Sequence, residues 1–135
     1  MTVQYSIAVR NAKLAAFMEA VGPFAVLRIY EGTMPLTTGD PDAAVLIASL
    51  DLPEVYMDEP DTGIVDKLGS WHTDAALADG TASYFRVWES TATTCHMQGT
   101  ITELGLDGDL QLDNTDFNAG QAFTISAWEV LAGNA

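Results

Sequence analysis

SIAVRNAKLAAFMEAVGPFAVLRIY, residues 6–30, contains a change of hydrophobic period, and that change decides the fold class. From Ile7 to Val21 the apolar residues Ile7, Leu14, Phe17, Met18 and Val21 recur at helical spacing. Alanines between them raise the propensity, and Ser6 is placed to cap the first turn. Gly22 and Pro23 end the helix, because glycine accepts a positive φ and proline cannot continue the hydrogen-bond ladder. Beyond Pro23 the period drops to two, with Leu27 and Ile29 on one face of a strand and Arg28 and Tyr30 on the other.

The remainder reads as strands separated by turns. A turn-rich loop from Gly32 to Pro41 leads to Ala44–Leu50, a largely apolar run expected to be a central strand closed by Pro53. The acidic stretch from Val55 to Asp61, with Pro60, is expected to be an exposed loop. Further strands are expected at Ile64–Trp71, Ala82–Glu89 and Cys95–Thr102, and Asp107-Gly108 between Leu106 and Leu110 is a hairpin signal. Phe123–Leu131 supplies a last, long strand. The expectation is a mainly β chain, an antiparallel β-sandwich or jelly-roll-like domain of about seven strands with one N-terminal α-helix. Residues 1–135 would form a single domain, with an arm and helix over 1–22 and the β-sandwich over 23–135.

Composition narrows the partners. Hydrophobic residues make up 48% of the 135 and charged residues 18%, a balance that favours folding over disorder. Five Lys and Arg against nineteen Asp and Glu give a formal charge of −14, with the acids spread along the chain. Such a field repels phosphate backbones and anionic lipid, so neither nucleic acid nor a membrane surface is an expected partner. The lone Cys95 cannot form an internal disulfide, and the N-terminus lacks a basic segment followed by an apolar run, which points to synthesis in a reducing cytoplasm. No apolar stretch approaches the ~20 residues needed to span a bilayer.

Chemistry-bearing patterns are sparse, and no enzyme activity or cofactor is expected. Cys95 and His96 are adjacent and point to opposite faces of a strand, so Cys95 reads as a small buried hydrophobe. His72 and His96 lack the further ligands and spacing that zinc requires. Asp107, Asp109, Asp113 and Asp116, with Asn114, offer hard oxygens and are the calcium candidates, although a solvated turn uses the same residues. Nothing selects a carboxylate pair for glycoside hydrolysis, and no phosphate-binding glycine motif or nucleophile elbow is present. Protein binding becomes the default. Its candidate contacts are Tyr5, Arg10, Phe17, Tyr30, Met34, Tyr56 and Trp88, together with the loops Gly32–Pro41 and Val55–Asp61. Trp71, Trp88, Trp128 and Tyr84 sit on expected strands, where filling the core is the favoured role and an outward-facing anchor the other. The helix either closes one end of the sheet or projects to a partner.

The strings YSIAVRNAKLAAFMEAVG (5–22), AVLRIYEG (25–32), TASYFRVWES (81–90), CHMQGTI (95–101) and GDLQLDNTDFNAGQAFTISAW (108–128) together resemble a family of small virion structural proteins of tailed phages and prophages. The resemblance covers most of the chain and departs most between Gly39 and Asp61. It implies a capsid decoration or cement protein that binds the major capsid protein lattice and copies of itself on the outer capsid surface, after synthesis in the host bacterium. A tail, baseplate or fibre-associated role is the alternative. A small carbohydrate-binding or hydrolytic module is the reading from another class.

Overall fold

A computed structural model describes residues 3–42 and 44–131. The chain is mainly β with one N-terminal helix. α1 spans Ile7–Val21; the Ser6 Oγ accepts the Val9 N–H at 3.2 Å, and the Gly22 N–H closes the far end on the Met18 carbonyl at 2.9 Å. Gly22 has φ +76°, a conformation that favours glycine. Leu14 and Val21 are buried and Phe17 and Met18 pack against the core, whereas residues 3–9 are all exposed.

The main sheet holds β1 (Val26–Glu31), β2 (Val45–Asp51), β6 (Tyr84–Trp88), β7 (Cys95–Glu103) and β8 (Leu110–Leu112), in the order β2-β1-β6-β7-β8. The remaining strands among the described residues form three two-stranded sheets. β3 (Ile64–Asp66) pairs with β11 (Glu129–Leu131), β4 (Trp71–Thr73) with β10 (Phe123–Ile125), and β5 (Gly80–Thr81) with β9 (Asp116–Phe117). Leu27, Ile29, Phe85 and Val87 of the main sheet share one hydrophobic cluster with Leu14 and Val21 of α1 and with Val65, Trp71, Phe117 and Ile125 of the small sheets. The opposite face carries Arg28, Tyr30, Tyr84, Arg86 and Gln98, brought side by side by the register Arg28↔Arg86↔Gln98 and Tyr30↔Tyr84. The segment from Gly32 to Asp42 bonds to that face, so all five residues of β6 are buried.

Several sequence expectations are corrected. Of the expected antiparallel β-sandwich or jelly-roll-like domain, the mainly β class with its N-terminal helix is observed, as one five-stranded sheet and several two-stranded sheets. β2 is an edge strand of its sheet, and its apolar character comes from packing of Ile47, Ala48 and Leu50 into the core. Within Val55–Asp61, Tyr56 and Met57 are buried, and Met57 bridges to Lys67. The expected strand Ile64–Trp71 is two strands in different sheets, divided at Gly69, where φ is +77°. Phe123–Leu131 is likewise split between β10 and β11. Asp107-Gly108 makes no hairpin: β8 runs parallel to β7, with Ile101↔Leu110 and Glu103↔Leu112.

Candidate functional site

Three of the surfaces formed by the described residues combine fixed polar groups with accessible apolar ones. The first is the loop over the polar face of the main sheet. Arg86 is fully buried, a costly position for a guanidinium unless every donor is used. It donates to Asp42 Oδ1 at 2.5 Å, to Gln98 Oε1 at 3.1 Å, and to the carbonyls of Thr37, Thr38 and Asp40 at 3.0, 3.3 and 2.9 Å. Gln98 Nε2 donates to the Pro35 carbonyl at 2.7 Å, and the Tyr30 hydroxyl donates to Asp42 Oδ2 at 2.7 Å. Burial, then the Asp42 carboxylate, pushes the Tyr30 hydroxyl pKa far up, so it stays a donor. These bonds fix the backbone on both sides of Leu36, whose side chain is 96% exposed.

The second surface is the tip of α1. Asn11 Oδ1 accepts the Gly63 N–H at 2.8 Å, which tethers the second turn to the loop before β3. Ahead of that tether Val3, Ile7 and Val9 are exposed, and the Lys13 ammonium sits 3.4 Å above the Tyr5 ring.

The third is a cleft of about 880 Å³ between the β3–β11 pair and the β7–β8 end of the main sheet. Trp128 lies edge-on to Trp71 and Phe85, with ring centroids 5.3 and 5.0 Å away, and its Nε1 donates to the Asp109 carbonyl at 2.9 Å. Met97 and Val130 extend the apolar lining, while Asp66, Asp109 and Glu129 bring carboxylates to it. Asp66 and Glu129 are direct cross-strand partners, both exposed.

The candidate contact residues separate by burial. Tyr5 is exposed, and Arg10, Phe17 and Met34 are half-buried. Tyr30, Tyr56 and Trp88 lie inside the fold: Tyr30 stacks on Tyr84 at 4.8 Å, Tyr56 packs against Trp71, and Trp88 clusters with Val26 and Cys95. The calcium candidates are not brought together. Asp109 accepts from Thr100 N and Oγ1, Asp116 accepts from Thr81 Oγ1, and no group of three His, Cys, Asp or Glu among the described residues is arranged to hold a metal. His72 bonds Thr124 and Asp74 at 2.8 Å each, away from His96 on β7. Burial pushes the Cys95 thiol pKa up, as suits a core residue.

Sequence reasoning missed Arg86 and the cleft. The signal for Arg86 is a cation inside an apolar run, Phe85-Arg86-Val87-Trp88. The cleft has no local signal, because its walls come from segments far apart in the chain. Comparison of the chain with protein-family models, with curated proteins and with solved structures gave no match.

Proposed function

We propose that this protein is a structural component of a tailed-phage particle, in the first place a decoration protein that binds the major capsid protein lattice from outside. The observation that carries a binding role is Leu36, an apolar side chain held almost wholly in water on a loop clamped by the buried Arg86. An immobilised loop gives up little conformational entropy on docking, so its apolar contact contributes more of its free energy to association. A decoration protein stabilises the assembled lattice because it binds that state alone, and repeated engagement around a lattice axis multiplies weak contacts. The virion assignment itself rests on the resemblance of the sequence strings.

The test is copy number per particle, by quantitative mass spectrometry of purified virions calibrated to the major capsid protein. Copies in fixed proportion to that protein support decoration, with Leu36→Asp expected to reduce occupancy strongly. A handful of copies moves the protein to the tail or baseplate. Absence from particles overturns the structural reading and returns attention to glycan binding in the Trp128 cleft.

A further inference from the structure

We propose that copies of this chain associate head to tail, the tip of α1 in one copy seating in the Trp128 cleft of the next. Charge segregation is the first ground. Residues 1–18, which lead into and form most of α1, hold two of the five Lys and Arg and none of the nineteen Asp and Glu, a formal balance of +2. Residues 19–135 hold the other three cations and all nineteen acids, a balance of −16. One end of the chain is therefore the electrostatic complement of the rest of it.

The two surfaces also match in shape and polarity. The tip offers Val3, Ile7 and Val9 at 63, 52 and 43% exposure, with Lys13 beside them over Tyr5. The cleft offers Met97, Trp128 and Val130 together with Asp66, Asp109, Glu129 and Lys67, in a volume of about 880 Å³, enough for several side chains. No residue of α1 lines it, so a chain's own helix leaves it open. Asp66 and Glu129 stand directly opposite on β3 and β11, and with Asp109 they outnumber Lys67, the one cation among the lining residues, so a further cation is favoured there. An incoming Lys13 supplies it. Because donor and acceptor surfaces differ, the contact is heterologous, and repetition yields a ring or an open chain rather than a closed two-fold dimer.

The inference does not depend on a virion location, and purified full-length protein tests it, so its failure leaves the copy-number result untouched. Sedimentation velocity at physiological ionic strength, where the −14 charges of two copies are screened, should show mass rising with concentration. Ile7→Asp with Val9→Asp disables the tip; acids in the first helical turn suit the helix dipole, so the fold is retained. Asp66→Lys with Glu129→Lys reverses the acidic pair of the cleft while leaving the cross-strand repulsion unchanged. Each double variant alone should lose every species heavier than one chain. Mixed in equal amounts they should form dimers and nothing larger, since one working tip meets one working cleft. Circular dichroism checks that both variants fold. A wild type that stays monomeric at every concentration, variants that associate like wild type, or a mixture that remains monomeric would each overturn the proposal.

Discussion

Arg86 shows how one residue ties a surface loop to the interior. Its strand neighbours Phe85 and Val87 face the main core, so the alternation of β6 turns Arg86 to the opposite face, where Gln98 on β7 and the Gly32–Asp42 segment satisfy it. Replacing Arg86 by Met keeps the buried stem but leaves Asp42 without its cation and three carbonyls without a donor. Loss of a partner from a fully buried pair costs ~3–5 kcal/mol. The Asp42 side chain is 27% exposed, and water there lowers the expected cost to about 2–3 kcal/mol. Urea denaturation checks the magnitude. Limited proteolysis should cut the variant within Gly32–Asp42 at a protease level that spares the wild type. An unchanged midpoint and cleavage rate would mean that the loop is held by something other than Arg86. The sequence shows the anomaly, a cation in an apolar strand, but its loop partners lie 44 to 49 positions away and no local pattern names them.

At the scale of elements, the helix and the strand that follows it were legible because their signals are local. Ser6, the Leu14–Val21 stripe and Gly22 act within a few residues of one another. The β7–β8 pair shows where local signals lose. Asp107-Gly108 favours a tight turn, yet Asp109 Oδ2 captures the Thr100 N–H at 2.9 Å and Thr102 Oγ1 accepts the Gly108 N–H at 3.0 Å. The segment is thus held alongside β7 before Leu110, and the next strand runs parallel. A Cβ on Gly108 would lie 2.6 Å from the Thr102 backbone nitrogen, which cannot move without breaking the pair. Gly108→Ala is expected to cost roughly 1–3 kcal/mol, as overpacking does in a close-fitted site. Hydrogen exchange should show lost protection at the Leu104 amide, which bonds the Leu112 carbonyl. Gly39→Ala is the control, since its Cβ would meet only Thr37 Oγ1, at 3.7 Å. Equal protection in the Gly108 variant would show that β8 tolerates displacement.

For the molecule as a whole, a formal charge of −14 sets a self-repulsion that the described Arg86–Asp42 ion pair offsets only locally. Salt shortens the reach of that repulsion to about 10 Å at 0.1 M. Raising ionic strength from a few millimolar to physiological is therefore expected to stabilise the monomer by roughly 1 kcal/mol, a few degrees in Tm. Calorimetry at a dilution where the chain is monomeric checks it. A flat or falling Tm would show that the acids are spaced widely enough not to repel. The same screening should help copies approach one another, because each carries the −14 charge while tip and cleft attract only at close range.

Helix bounds, the first strand, the mainly β class and the acidic balance were determined by the sequence alone, since each depends on neighbours within a turn or on composition. Sheet order, the parallel β7–β8 pair, the division of two long strands among small sheets, and the meeting of Asp66 with Trp128 and Asp109 were decided only by the tertiary structure. The physical reason is the same in each case. A strand's partner is chosen by which distant segment completes its hydrogen bonds and covers its apolar face, and that choice is a property of the packed whole.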